Sequence, residues 1–121
     1  MSVRGVFVNA SERRGLAPGD VLFSAGDSGT EMFGVIEGAI ELRRGDQVVA
    51  TVGPDGTFGE MSLIDQSPRS LTAVALEASE VAVINERVFL FLVHETPTFA
   101  LQVMRSLSHM IRDLDEATST D

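Results

Sequence analysis

The sequence predicts a mainly β domain that ends in α-helices. All 11 glycines lie at or before Gly59, short apolar runs alternate with turn residues in that half, and the two longest helical patterns follow Ile84. Short strands at this spacing are typical of β-sandwiches and barrels. A chain of 121 residues has room for one core, so we assign residues 1–121 to a single domain with its β part at about 12–84.

The β part consists of short apolar runs separated by turns. The turns are marked by Pro18-Gly19-Asp20, residues 25–29, Glu37-Gly38, Arg44-Gly45-Asp46 and residues 53–56. Around them we predict strands at 21–23, 32–36, 39–42, 47–52, 70–76 and 81–84.

A first C-terminal helix is predicted at about 86–94. Asn85 precedes it as a plausible N-cap, because an asparagine side chain accepts a hydrogen bond from the first free amides of a helix. Ile84 and Phe89 have the spacing of a hydrophobic staple across this cap.

A second, longer helix is predicted at about 97–117. Thr96 caps it and Pro97 takes its first position, where the missing proline N–H costs nothing. Its apolar residues recur every three or four positions: Ala100, Val103, Leu107, Met110, Leu114 and Ala117, widened by Phe99, Leu101, Met104 and Ile111.

The charge of the chain argues against direct binding to nucleic acid. The net charge is −9, and all nine cations are arginines, scattered from Arg4 to Arg112. A protein that binds DNA needs a basic footprint to displace counterions from phosphates. We therefore expect no nucleic-acid partner, and no DNA-binding domain after the last helix.

Composition also bears on location. The chain has no Cys, which excludes disulfides and thiolate metal sites. Uncharged apolar runs such as Val88–Val93 are too short to cross a bilayer, and the N-terminal stretch lacks the apolar core of a signal peptide. These features predict a cytoplasmic protein with no membrane insertion.

The residue patterns of common enzymes are absent. The two histidines, His94 and His109, both fall in predicted helices, and two ligands do not complete a metal site. The sequence has no nucleophile-elbow motif, and its glycine-rich turns lack the long helix that a dinucleotide site requires. We predict a non-enzymatic protein with no catalytic residue, no metal and no cofactor.

The most informative segment is Phe58 to Ala73. It places Glu60 nine residues before Arg69, with a short apolar turn and Pro68 between them. The carboxylate can accept a hydrogen bond from a sugar hydroxyl, and the guanidinium suits phosphate oxygens. Glu60 alone could complement a helix dipole and Arg69 alone could be a surface residue, but the pair together favours an anion site.

This segment (Phe-Gly-Glu, a small helix, then Pro-Arg-Ser and a strand) resembles the phosphate-binding cassette of the cyclic-nucleotide-binding domain family, of the catabolite-activator and protein-kinase-A regulatory-subunit type. The resemblance extends over about residues 15–117. It implies a jelly-roll-like β-roll with a cassette helix and two C-terminal helices. By this resemblance Glu60 binds the ribose 2′-hydroxyl and Arg69 the cyclic phosphate. The implied ligand-binding set is Phe58, Gly59, Glu60, Met61, Ser62, Arg69 and Ser70.

Two parts of the implied site are less specified. In the family a residue of the C-terminal helix often caps the purine, and the candidates here are Arg105, His109, Arg112 and Thr118; each could equally belong to a solvated helix face. Leu71 stands where the family usually has a small residue. Strand alternation predicts that it shares a face with Ala73 and lies away from Ser70.

The sequence thus predicts a free-standing sensor of cyclic AMP or cyclic GMP that signals to an unknown effector protein. Ser70 favours cyclic AMP, since guanine-preferring members of the family often carry Thr there. The alternative is an interaction module of the same fold with a degenerate pocket. A homodimer through helix 97–117, with contacts near Leu107 and Leu114, is also expected, because so amphipathic a helix must bury its apolar face.

Overall fold

The computed structural model describes Phe7, Ala10 and residues 12–118, with side chains through Arg112. Within these residues, eight strands form two four-stranded sheets, one short helix lies in the cassette and two helices follow the last strand. The strands are β1 Arg13–Leu16, β2 Val21–Phe23, β3 Met32–Glu37, β4 Ile40–Arg44, β5 Gln47–Val52, β6 Thr57–Phe58, β7 Thr72–Ala75 and β8 Ser79–Ile84. The helices are α1 Glu60–Asp65, α2 Glu86–Glu95 and α3 Thr98–Thr118.

The two sheets are antiparallel, with strand orders β1-β8-β3-β6 and β2-β7-β4-β5. Consecutive strands are therefore often on opposite sheets, as in a jelly-roll-like sandwich. The predicted fold class, mainly β with C-terminal helices, is confirmed.

An aromatic cluster between the sheets fixes the start of the cassette. Phe58 of β6 pairs with Phe33 of β3, and their rings stack with centroids 5.4 Å apart. Phe23 of β2 lies 5.8 Å from Phe33 and 6.1 Å from Phe58, so both sheets contribute. Rings at these distances add packing energy beyond their buried area. This cluster anchors the end of β6, from which α1 begins.

Two short strands were not predicted, and four predicted strands, β3, β4, β7 and β8, have different ends. β1 and β6 have too little apolar alternation to be recognised, and β8 begins at Ser79 rather than 81. β7 begins only at Thr72, rather than at 70. The reason is that Arg69 bonds to the turn before β3: its N–H donates to Asp27 O at 2.8 Å, and its carbonyl accepts from Gly26 N–H at 2.7 Å.

Both C-terminal helices lie where they were predicted, within one residue at each end. Asn85 caps α2, since its Oδ1 accepts from Val88 N–H at 2.9 Å. Ile84 and Phe89 belong to one apolar cluster, in agreement with the staple. The inward face of α3 joins the core through Phe99 and Val103 and packs on β5, β6 and α2.

No helix of the described part of the chain is long and apolar enough to cross a membrane. The same part contains no group of three or more His, Cys, Asp or Glu able to hold a metal ion.

Candidate functional site

The cassette is a tight loop around a six-residue helix, α1. Gly59 enters it with φ of 81°, a left-handed backbone that disfavours side chains. At the other end Gln66 closes α1 by donating its N–H to Ser62 O at 2.9 Å, and Ser62 Oγ donates to Ser67 O at 2.8 Å. Asp65 accepts both the N–H and the hydroxyl of Ser67. These bonds turn the chain back, so that residue 69 faces the start of the helix.

Arg69 is buried, with only 6% of its surface exposed. Its Nη1 donates to Glu31 O at 2.8 Å and to Gly59 O at 3.3 Å. The guanidinium carbon lies 4.4 Å from the ring centroid of Phe23 and 5.5 Å from that of Phe33, within cation–π range. Two carbonyls and two aromatic faces therefore fix the side chain in one position.

This buried charge has no carboxylate within ion-pair distance among the described residues. Its Nε also lacks a hydrogen-bond partner there. Burial lowers the pKa of Arg69, while the more distant charges of Glu31 and Asp27 act to raise it. A desolvated cation with an unused donor is costly until it is paired. The arrangement therefore favours binding of an anion.

Gly29 makes room for this arginine. A Cβ at position 29 would lie 2.5 Å from Arg69 Nε and Nη2, closer than real Cβ atoms approach other groups. From the sequence Gly29 was identified only as part of a turn. Its contact with Arg69 depends on the fold.

Glu60, the first residue of α1, is also buried, with 4% of its surface exposed. Burial raises the pKa of its carboxyl group, and hydrogen bonds from Ser106, from its own backbone and from Thr57 act against that rise. The Thr57 hydroxyl lies 3.4 Å from Glu60 Oε2. Ser106 belongs to α3, and its hydroxyl donates to Thr57 O at 2.7 Å, so the C-terminal helix meets the roll three residues before this carboxyl group.

Both charged residues line one cavity at the junction of the cassette, the roll and α3. Its lining is Phe23, Leu42, Gly59, Glu60, Met61, Ser62, Pro68, Arg69, Ser70, Leu71, Leu107 and Met110. All the predicted ligand-binding residues lie there except Phe58, which is fully buried in the aromatic cluster behind it. The cavity volume is about 40 Å³, room for a few waters at roughly 10–15 Å³ each.

Three of the four candidates for base contact lie away from the cassette cavity. Arg105 and His109 are exposed and line a second groove, between α3 and the loop from β5 to β6. Arg112 is exposed and lines neither cavity, and the side chain of Thr118 lies outside the described residues. The residues that α3 presents to the cassette cavity are apolar, Leu107 and Met110.

The expectation that Leu71 lies away from Ser70 is wrong in one respect. Leu71 packs in the same buried cluster as Ala73, as predicted, yet it lines the cavity together with Ser70. Strand alternation does not reach these residues, because β7 begins only at Thr72.

Several residues of the site were missed by sequence reasoning. Phe23, Glu31, Leu42 and Ser106 come from four separate elements or loops, and no local motif connects them. Leu107 and Met110 also line the cavity. Their place on the apolar face of α3 was visible in the sequence, but it did not indicate that this face reaches the cassette.

Comparison with known proteins agrees with the geometry. The model of the family described as "Cyclic nucleotide-binding domain" matches residues 13–96. The cyclic AMP receptor protein of Thermus thermophilus is 32% identical over 109 residues, which cover 86% of this chain and 50% of that protein. A cAMP-dependent protein kinase regulatory subunit of Mycosarcoma maydis is 30% identical over 95 residues, covering 71% of this chain and 18% of that one.

A solved structure from work on a cyclic-GMP-dependent signalling pathway in bacterial phytopathogenesis superposes with a TM-score of 0.74 at 29% identity, covering 91% of this chain and 92% of that one. This chain spans half or less of the length of the two sequence relatives. The match over residues 13–96 takes in both sheets, the cassette and α2. The chain belongs to the cyclic nucleotide-binding domain family.

Proposed function

We propose that this domain is a sensor that binds a cyclic nucleotide in the cassette cavity and transmits binding to a partner protein. The observation that carries the proposal is Arg69, a buried cation with no ion-pair partner among the described residues and an unused Nε donor. A cyclic phosphate supplies the missing negative charge, and charge-assisted hydrogen bonds to phosphate are among the stronger ones in proteins.

Glu60 supports the same ligand. Its carboxyl group lies in the same cavity, desolvated and able to accept a hydrogen bond from a ribose 2′-hydroxyl. The exposed Ser70 lies next to Arg69 and offers one hydroxyl to the phosphate. Gly59, Met61 and Ser62 complete the proposed wall around the sugar and phosphate. No group in this set is arranged for bond making or breaking, so the role we propose is regulatory.

The volume of the cavity means that binding requires a movement. Pockets for small ligands have volumes of roughly 300–1,000 Å³, whereas this cavity measures about 40 Å³. Leu107 and Met110 of α3 line it, so a shift of α3 would enlarge the cavity for a nucleotide. A ligand can drive this shift only through different affinities for the two arrangements, which is how binding would reach a partner.

For the nucleotide we propose cyclic AMP, since Ser70 offers a single small hydroxyl at the phosphate. The names of both sequence relatives refer to cyclic AMP, whereas the similar solved structure comes from work on a cyclic-GMP-dependent pathway. The two nucleotides therefore have to be compared directly.

A second candidate function is an interaction module of the same fold that binds no nucleotide. It is favoured by the small volume of the cavity and by the bulky side chain of Leu71 in its lining. In that case the buried Arg69 would remain unpaired and would serve only to position the cassette through Glu31 O and Gly59 O.

Calorimetric titration of cyclic AMP and cyclic GMP into the chain distinguishes the two functions. We expect binding, and a loss of roughly 10- to 150-fold in affinity for Arg69→Ala, the effect of removing one charge-assisted contact. Arg44→Ala is the control, because Arg44 is an exposed arginine at the end of β4. No heat with either nucleotide, or equal affinity for wild type and Arg69→Ala, would reject the proposed site.

A further inference from the structure

A β-bulge in β2 turns Phe23 towards the interior of the roll. Val21 pairs with Val74 and Phe23 pairs with the adjacent Ala73, so the register shifts between the two pairs. Residues two positions apart on a regular strand share a face, yet Val21 is 55% exposed, whereas Phe23 and Leu22 both pack against the apolar cluster between the sheets. Bulges re-aim side chains in this way and are frequent next to functional sites. This bulge brings Phe23 into the lining of the cassette cavity.

In that position the ring of Phe23 lies against the cation of the cassette. The guanidinium carbon of Arg69 is 4.4 Å from the ring centroid of Phe23, the nearer of the two rings within cation–π range. The negative face of an aromatic ring attracts a cation most strongly where water is excluded, and Arg69 is only 6% exposed. The ring therefore supplies part of the negative potential that a counter-ion would provide.

Two carboxylates near Arg69 could otherwise neutralise it. The charges of Glu31 and Asp27 act to raise the pKa of Arg69, although neither forms an ion pair with it in the part of the chain that the structure describes. If the guanidinium moved into contact with either carboxylate, a ligand would have to displace that carboxylate first. The fraction of molecules in such a paired arrangement would lower the apparent affinity for the ligand.

We infer that Phe23 is a positioning residue of the phosphate site: its ring keeps the guanidinium of Arg69 out of contact with Glu31 and Asp27, and so available to an anionic ligand. The inference rests on the proposed function and adds to it the residue that keeps the cation free. Phe23 acts through Arg69, whose Nη1 is already bonded to two carbonyls and whose Nε has no partner among the described residues.

The first test replaces Phe23 with pentafluorophenylalanine, which keeps the shape of the ring and reverses the charge on its faces. The affinity for cyclic AMP, measured by calorimetry, should fall by roughly 2- to 30-fold, the range that the strength of a cation–π contact implies. The same replacement at Phe58 is the matched control. Phe58 belongs to the same aromatic cluster, 6.1 Å from Phe23, and none of the cation–π contacts of the described residues involves it.

The two fluorinated chains separate electrostatics from packing. We expect the replacement at Phe58 to leave the affinity unchanged. Unchanged affinity after the replacement at Phe23 overturns the inference, because a ring that only fills space depends on its shape and not on the charge of its faces. An equal loss at both positions assigns the effect to packing of the cluster and also overturns it.

The second test needs no nucleotide. Crystals of the wild type and of the chain fluorinated at Phe23, grown without phosphate or sulfate, show where the guanidinium of Arg69 lies. We expect it to remain against the ring in the wild type, and to lie within ion-pair distance of Glu31 or Asp27 in the fluorinated chain. Phe23→Leu, which removes the ring altogether, should have the same effect. An unmoved guanidinium in both variants overturns the inference.

The outcomes also distinguish the inference from the function on which it rests. If the wild type binds neither cyclic AMP nor cyclic GMP, the proposed function fails, and the nucleotide-free crystals alone decide whether Phe23 holds Arg69. If the wild type binds and the fluorinated ring at position 23 changes nothing, the inference is overturned while the proposed function stands.

Discussion

Arg69 lies directly against Gly29, so that a Cβ at position 29 would be 2.5 Å from the guanidinium Nε. The backbone of the same turn bonds to Arg69 on both sides, through Asp27 O and Gly26 N–H. A loop that precedes β3 thus determines where a cation from the cassette stands. The space is occupied by the guanidinium group of Arg69, which two carbonyls and two aromatic rings hold in place, so it has little freedom to move.

The first prediction is that Gly29→Ala weakens binding of cyclic nucleotide at least tenfold, because the new methyl group displaces the guanidinium. Gly15→Ala is the matched control, since a Cβ there meets no atom within 4 Å. Calorimetry gives the affinities, and circular-dichroism melting checks that both variants fold. Wild-type affinity for a folded Gly29→Ala would show that Arg69 binds the ligand without the space that Gly29 leaves.

The second prediction concerns Glu60 and pH. Burial holds the pKa of its carboxyl group above the ordinary value, so in the window between those two values the folded chain binds a proton that the unfolded chain has lost. The free energy of unfolding therefore falls as pH rises through this window. Above the ordinary pKa of a glutamate the raised pKa of Glu60 therefore lowers the stability of the fold, whereas below it the effect vanishes.

Glu60→Gln should accordingly melt at a higher temperature than the wild type at pH 7, with a difference that shrinks towards pH 4. The same variant should bind cyclic nucleotide more weakly, since the ribose loses a charged acceptor; stability and binding then change in opposite directions, as is common at functional sites. Glu37→Gln, at an exposed position, serves as the control. A lower melting temperature for Glu60→Gln at pH 7 contradicts the prediction.

The third prediction is that the domain prefers cyclic AMP to cyclic GMP, and that Ser70→Thr reduces the preference. Ser70 is exposed and lines the cavity beside Arg69, so an added methyl group can be accommodated without repacking the core. Competition titration against a fluorescent cyclic nucleotide measures both affinities. Tighter binding of cyclic GMP by the wild type reverses this prediction.

The fourth prediction is a homodimer through α3, with a corrected contact surface. Contacts were expected near Leu107 and Leu114, but Leu107 lines the cassette cavity and packs on the core, and the side chain of Leu114 lies outside the described residues. The apolar residues that α3 exposes are Leu101, Met104 and Ile111, each 48–57% exposed. They lie along one side of the helix and form the surface that a second copy would cover.

Met104→Glu should therefore shift the chain towards monomer in analytical ultracentrifugation, because a charge is costly inside an apolar interface. His109→Glu, also exposed but on the groove side of α3, should leave the association unchanged. A wild type that sediments as a monomer at tens of micromolar, with and without nucleotide, rules the homodimer out.

The sequence by itself determined the elements whose causes are local. Asn85 and Pro97 define the starts of the last two helices, because caps and proline act within one turn. The turns around β2 to β5 follow from glycine and aspartate, whose backbone preferences are also local. The spacing of Glu60 and Arg69 was enough to indicate an anion and sugar site, since a short motif fixed both charges.

Tertiary structure alone decided how those charges are used. Within the part of the chain that the structure describes, Arg69 has no carboxylate within ion-pair distance, and its neighbours are Gly29, Phe23 and the carbonyl of Glu31. Ser106 donates to Thr57 O because α3 packs against β6. Such contacts join segments far apart in the sequence, and their geometry follows from the packing of two sheets and a helix, which no local pattern encodes.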